Sequence, residues 1–272
     1  MENDPRSPER IRHHYEVEKE LAARLLRSTR EERTHLFRTL YDELFTRVPD
    51  HPRLVRRQTP EETQRGITAR MALLRGQLDG VKTFLEFAPG DCRLAFEVCR
   101  HVEKAIGVDI SDQTGQLTDR PANFELVVYD GYKLNVPDES VDLVFSYQML
   151  EHLHPDDVEL HFQLVRRILK PGGAYIFSTP HRFSGPSDIS GSFSETPQGF
   201  HFKEWTYGEM DRALEKAGFS RRYVYRMGQL RKSGVVNALT RALERVFEVV
   251  PHGLRKKLSQ RLFVGVNMLA RK

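Results

Sequence analysis

Apolar residues change their spacing near residue 80, and that change divides the chain. Before it they recur every three or four positions, as on one face of a helix. Ser7-Pro8-Glu9 forms a helix start, followed by a face of Ile11, Tyr15, Ala22, Leu25 and Leu26. Leu36, Phe37, Leu40, Tyr41, Leu44, Phe45 and Val48 make a second stripe, which Val48-Pro-Asp-His-Pro52 breaks. Thr59-Pro60-Glu61-Glu62 starts a third helix with Ile67, Met71, Leu74 and Leu78 inward, ended by Gly80. Residues 1–80 are therefore expected to form a helical N-terminal extension. From residue 81 short apolar runs alternate with amphipathic segments: Phe84–Phe87, Ala105–Val108, Phe124–Tyr129, Val141–Ser146, Ala174–Thr179, Arg221–Met227 and Leu262–Leu269. Strand-helix alternation of this kind predicts an α/β domain over 81–272, built as a doubly wound sheet.

The stretch from Lys82 to Ser111 carries the most information. An apolar run ends in the tight turn Ala88-Pro89-Gly90-Asp91, a helix follows, and a second run stops at Asp109. An acid about 20 residues beyond such a loop sits where a ribose presents its two hydroxyls. The loop lacks the three glycines of a dinucleotide turn, reading Ala88, Gly90 and Arg93 at those positions, and no G-x-x-x-x-G-K-[ST] loop occurs. A cofactor with adenosine but no phosphate suits it better, and S-adenosylmethionine is the common one. In Glu86-x-Ala88-x-Gly90-x-Cys92 the chain resembles the first motif of the class I S-adenosylmethionine-dependent methyltransferases, with Ala and Cys where two glycines stand. The Val136–Ser146 segment with Leu150-Glu151-His152-Leu153, and the turn Leu169-Lys170-Pro171-Gly172-Gly173, resemble further features of that family.

The resemblance implies a Rossmann-like, seven-stranded doubly wound sheet whose last strand is antiparallel, with 231–260 as a helical insertion before it. It implies Glu86, Ala88, Gly90, Asp109, Ile110, Asp130, Gly131 and Ser146 as cofactor-binding positions. Asp130 would take the adenine amino group, and Ile110 would lie against the adenine ring. The alternative for Asp130 is a plain Asp-Gly turn.

Loops at the carboxyl ends of parallel strands hold the ligands. Those after strands four and five contain Tyr147, Gln148, Glu151, His152, His154, Thr179, His181, Arg182 and Ser184. Residues 183–200 lack periodicity and read as a long loop of the lid type. A hydroxyl acceptor benefits from a base, and His181 and His201 are the candidates, each weighed against a packing or substrate-contact role. His152 has a structural role in the resemblance. Glu204 either orients His201 or caps the helix begun by Thr206-x-x-Glu209, and Trp205 stacks on a ligand or packs in the core. His13, His14, Tyr15, Arg56 and Arg57 are candidates to line a substrate pocket, with solvated or core positions the blander reading.

With 39% apolar and 29% charged residues among 272, the chain has globular composition, and its net charge of +4 gives no argument for nucleic acid. No run of 18 apolar residues and no signal-peptide core occur, so a cytoplasmic setting is expected. Cys92 and Cys99 suggest neither a disulfide framework nor a metal cluster, and no metal is expected. Gly234–Val250 reads as an amphipathic helix with Val235, Leu239, Val246, Phe247 and Val250 on its apolar side, and the basic 231–260 segment around it suits weak contact with an anionic membrane surface, although packing on the core is the stronger expectation. The absence of a three-cysteine set argues against arsenite methylation. Ser146-Tyr147-Gln148-Met149, lacking N/D-P-P-Y/F, argues against DNA base methylation. The expected activity is methyl transfer to a hydroxyl of a small molecule, a glycan or a glycolipid intermediate. The alternative is a catalytically silent binding or scaffold subunit, motivated by Ala88 and Cys92.

Overall fold

The computed structural model describes residues 4–55, 59–112 and 119–272. Four helices come first: α1 (Pro8–Leu26), α2 (Arg30–Arg47), α3 (Pro52–Val55) and α4 (Pro60–Leu74). The sheet domain follows as β1 (Thr83–Phe87), α5 (Arg93–Val98), β2 (Lys104–Asp109), β3 (Phe124–Val128), β4 (Val141–Tyr147), α6 (Val158–Ile168) and β5 (Leu169–Pro180). It closes with α7 (Tyr207–Lys216), β6 (Arg221–Arg226), β7 (Gln229–Arg231), α8 (Gly234–Glu248), α9 (His252–Leu262) and β8 (Gly265–Arg271).

The strands form one sheet in the order β3-β2-β1-β4-β5-β8-β6-β7. β1 to β5 pair in parallel, and β8 runs antiparallel to both β5 and β6. The sheet has eight strands rather than seven, because Met227-Gly228, both at positive φ, turns the chain back into the short edge strand β7. Alternation along the central strands feeds two cores. Val144 and Tyr175 face Phe162 and Val165 of α6, while Leu143, Phe145 and Ile176 face Leu94 and Val98 of α5. Leu73 and Leu74 at the end of α4 join the second core, so α4 covers the sheet.

Local chemistry starts the helices where the sequence indicates. Ser7 caps α1, and Thr59 with Glu62 forms a reciprocal capping box on α4. Thr29 and Glu32 form another that separates α1 from α2. The last strand begins at Gly265 rather than Leu262, since Leu262 ends α9. α8 also departs from expectation. It turns Asn237, Thr240, Glu244 and Phe247 inward and leaves Val235, Leu239 and Val246 exposed.

α1 and α2 pack together through Leu21, Leu25, Leu40 and Leu44, with Phe200 completing the cluster. A buried ion pair fastens them to the sheet domain. Arg33 of α2 meets Asp157 at 2.8 Å, and Tyr132 donates to the same carboxylate at 2.8 Å. Arg33 also donates to the Ser28 carbonyl at 2.6 Å. Removing one partner of such a pair strands a buried charge, at a cost of about 3–5 kcal/mol. Arg33→Ala is therefore expected to lower unfolding stability by about that much in urea denaturation, with Arg33→Ala/Asp157→Asn losing less than the sum of its single variants.

Candidate active site

The carboxyl ends of β1, β2 and β3 build the first half of the site. In the parallel register Glu86 pairs with Gly107, and Asp109 with Val128. Paired residues share a sheet face, and side chains two apart along a strand share one as well. Glu86 and Asp109 thus lie on one face, stepped outward, and Asp130 follows two residues beyond Val128. The loop between β1 and α5 keeps the shape that glycines would give it. Ala88, Gly90 and Cys92 all adopt left-handed backbone, at φ of 50°, 57° and 57°. For alanine and cysteine this costs about 1–2 kcal/mol each. The Ala88 amide is held by the Val108 carbonyl at 2.8 Å, and Cys92 is fully buried.

Asp109 accepts from the Ser111 amide at 3.3 Å, and the amides of Ile110 and Gly90 also point at its carboxylate. Burial outweighs these bonds and pushes its pKa up. Asp130 uses Oδ1 to accept from the amides of Tyr132 and Lys133 at 2.8 and 2.6 Å. It is burdened by desolvation, yet these amides hold its carboxyl below the usual range. The Asp-Gly turn is real, and it engages one oxygen in both of these bonds. Gly131 lies against the Phe37 ring, 3.3 Å from where a Cβ would stand. Glu86 is buried, and its Oε2 has no hydrogen-bond partner. Burial raises its pKa to about 8 despite nearby Arg70. An orphaned carboxyl oxygen, a stepped pair of acids and an open Gly90 suit a cofactor with ribose hydroxyls and a cationic group. Ser146 differs from expectation: its hydroxyl is buried and bonded to the Tyr175 hydroxyl at 2.6 Å, leaving only its backbone near the edge.

A second half lies between the N-terminal helices and the connection after β5. A cavity of about 360 Å³ is lined by His14, Glu18, His51, His152, Asp188 and His201. The 183–200 segment is pinned to α1 on one side of it. Glu18 accepts from the Phe200 amide at 3.0 Å, Tyr15 donates to Gln198 at 2.6 Å and stacks on Phe193. Asp188 accepts from the Ser190 and Gly199 amides at 3.0 and 3.2 Å.

His201 donates through Nδ1 to Glu204 at 3.0 Å, and Glu204 also accepts from the Ser187 amide at 2.6 Å. Burial disfavours the charged ring, but Glu204 and the carboxylates of Glu151 and Asp188 prevail and raise the His201 pKa above its ordinary 6.5. Gly185 makes room for Glu204: a Cβ there would stand 1.6 Å from Glu204 Oε2 and would push the carboxylate aside. The helix-capping role belongs to Thr206 and Glu209, so Glu204 is the orienting group.

His181 is corrected by the structure. It has no exposed surface, donates Nε2–H to Glu244 at 2.8 Å, and accepts the Phe183 amide on Nδ1 at 3.1 Å. Both nitrogens are occupied, and burial lowers its pKa, so it packs β5 against α8 and does not act as a base. Trp205 belongs to the core. Arg182 pairs with Glu209 and Glu248, and Thr179 donates to Glu151 at 2.9 Å. His154 caps the turn before α6. Of the N-terminal candidates, His14 lines the cavity, Tyr15 anchors the loop, and His13 bonds the Arg47 carbonyl outside it. Arg56 and Arg57 lie outside the described residues. Glu18 and His51 escaped the sequence reading. His14-x-x-x-Glu18, an acid one turn from a histidine on an apolar stripe, was the available signal.

Glu86 and Glu151, raised to about 8 and about 7, keep protons that the unfolded chain releases near 4.5. A folded pKa above the unfolded one means that stability is present at low pH and lost as pH climbs. The neutral histidines His51, His152, His161 and His181, whose pKa burial lowers, contribute with the opposite sign over the same range. The expected outcome is therefore a difference between proteins: in a pH series of thermal scans, Glu86→Gln should gain melting temperature relative to the unsubstituted protein as pH rises from 5.5 to 8.

A family model described as a methyltransferase domain matches residues 85–177. A Mycolicibacterium smegmatis protein with the curated name "Probable S-adenosylmethionine-dependent methyltransferase" is 39% identical over 90 residues, 32% of each chain. The matched segment thus spans about a third of that relative. Among solved structures, an Archaeoglobus fulgidus S-adenosylmethionine-dependent methyltransferase superposes with a TM-score of 0.52 at 19% identity, over 79% of this chain and 95% of its own. A chain from the complex of the Haloferax volcanii Trm112 methyltransferase activator with a methyltransferase gives 0.54 at 18%, over 77% and 91%. These two likenesses concern the fold. The match to a methyltransferase domain thus falls on residues 85–177, the strands and loops that carry Glu86, Asp109 and Asp130.

Proposed function

We propose that the whole chain is an S-adenosylmethionine-dependent O-methyltransferase acting on a hydroxyl of a small molecule or of a glycan or glycolipid intermediate. The observation that supports this most is the His201–Glu204 pair at 3.0 Å on the wall of a polar cavity. Glu204 fixes Nδ1 as the donor, which leaves Nε2 as the acceptor for a hydroxyl proton. Arg6 and Arg53 line the cavity together with Glu18 and Asp188, donors and acceptors suited to a ligand rich in hydroxyls.

When bound, the cofactor supplies an electrophilic methyl group on a sulfonium. The chain's part is to hold it, to align the acceptor and to take up the proton. Asp109, with Ile110 beside it, Asp130-Gly131, Glu86 and the Ala88–Gly90 backbone are the groups we assign to holding it. Alignment contributes up to roughly 7–11 kcal/mol, and a base about 10²–10⁴ in rate. The silent-scaffold alternative loses its motive, because Ala88 and Cys92 reproduce the glycine backbone.

Two tests follow from these assignments. Asp109→Ala should weaken S-adenosylhomocysteine binding in calorimetry at least tenfold, on the order of 1.4 kcal/mol; unchanged affinity overturns its role. His201→Asn should lower kcat on hydroxyl acceptors about 10²-fold or more. In the unsubstituted enzyme the rate should rise with pH through a pKa above 6.5, since only neutral His201 accepts a proton. A flat profile, or full activity in His201→Asn, removes the base.

A further inference from the structure

We infer that Glu151, His152 and His201 form a binding site for a divalent transition-metal ion that opens into the acceptor cavity. One donor atom from each of the three lies within 4.8 Å of the others. The orientation of the two rings favours this use. His152 gives Nδ1–H to the Phe200 carbonyl at 2.9 Å, and His201 gives Nδ1–H to Glu204 at 3.0 Å. Each Nε2 lone pair is thereby free, and an outer hydrogen bond of this kind fixes the ring and the tautomer of metal-bound histidines. The third group is a carboxylate with no exposed surface. Thr179 holds Glu151 Oε2 at 2.9 Å, while Oε1 is buried without a partner. Bonds of about 2.0–2.2 Å require donor spacings of roughly 3–3.5 Å, a closure within the reach of small side-chain rotations. Two imidazoles and one carboxylate select zinc, iron, cobalt or nickel over magnesium or calcium.

A second cluster, His14, Glu18 and His51, lines the same cavity. It does not share these properties. Arg6 donates to His14 Nδ1 at 3.2 Å, so Nε2 carries the proton that goes to Glu18 at 2.9 Å. The guanidinium also repels a cation. The inference rests on the proposed function only for its catalytic meaning. His201 cannot be ligand and base together: the base role belongs to the ion-free protein, and with the ion bound the metal would lower the pKa of an acceptor hydroxyl, whose proton would leave to solvent water.

The test uses the full-length protein stripped by chelator and titrated with Co²⁺, read by its visible d–d absorption, and with Zn²⁺ by calorimetry. One ion per chain is expected, with at least tenfold weaker binding in His152→Ala and Glu151→Gln and retained binding in His14→Ala. S-adenosylhomocysteine binding checks that each variant is folded. No Co²⁺ spectrum, or unchanged affinity in both ligand variants, overturns the site. Methyl transfer by stripped protein that binds no Co²⁺ overturns the metal and leaves the function. Normal ion binding with no transfer to any hydroxyl acceptor supports the metal and removes the function.

A different observation carries a second inference. α8 and α9 present Val235, Leu239, Val246, Val249, Leu254 and Leu258 to solvent. Residues 231–262 hold eight Lys or Arg (231, 232, 241, 245, 255, 256, 257, 261) against Glu244 and Glu248; Arg241 pairs with Asp211 and Arg255 lies over Phe183, so the rim rests on the other six. An apolar face with a cationic rim complements an anionic lipid surface, whereas a symmetric pairing of two copies would oppose like charges. No described helix is long and apolar enough to cross a membrane, which leaves contact with the surface. We propose that this face rests on anionic lipid. Co-sedimentation should show binding to phosphatidylcholine vesicles containing phosphatidylglycerol, weakened by salt and by Leu239→Glu/Val246→Glu, and little binding to phosphatidylcholine alone. Absence of vesicle binding, or a dimer in sedimentation equilibrium that the double substitution dissolves, overturns it.

Discussion

The backbone of one residue, Phe200, ties together the part of the molecule that we assign to the acceptor. Its N–H goes to Glu18 of α1, and its carbonyl receives His152, which follows β4. Both bonds are buried or nearly so, where an unmade hydrogen bond costs about 1–3 kcal/mol. The N-terminal helices, the sheet edge and the 183–205 connection are therefore fastened at a point rather than merely laid together. The cavity exists because these three elements meet there, and His152, oriented by the Phe200 carbonyl, and His201, the next residue along, depend on the same stretch of backbone.

The two halves of the site are made differently. The cofactor half is mostly backbone and acids on the ends of parallel strands, a geometry set by sheet register. The acceptor half is side chains drawn from distant parts of the chain, held by capping bonds around Asp188 and Glu204. Such a division lets the first half stay constant while the second varies with the ligand.

Much of the first half was legible in sequence because register follows from apolar spacing. Glu86, Asp109 and Asp130, about one βα repeat apart, fall on the face and edge that their spacing implied. At Ser146, one residue past Phe145, strand alternation sends the side chain to the α6 side with Tyr175 and leaves its backbone for the edge. His181 was misread because its partner Glu244 lies 63 residues away, a contact no local pattern encodes. Glu18 and His51 were missed for the same reason. On α8 Phe247 points inward as its apolar character implies, but Asn237, Thr240 and Glu244 share that face, and Glu244 is explained only by what it meets.

Glu244 accepts His181 at 2.8 Å and the amides of Tyr207 and Gly208, at the start of α7, at 2.5 and 2.8 Å. The helical insertion is thus wired into the domain interior through one buried carboxylate, with Asn237 adding a bond to the Arg222 carbonyl of β6 at 2.6 Å. A shortened version lacking that insertion would strand two backbone donors and an imidazole in an apolar interior. Trimming this protein to a minimal catalytic unit would consequently remove part of its interior, not an appendage.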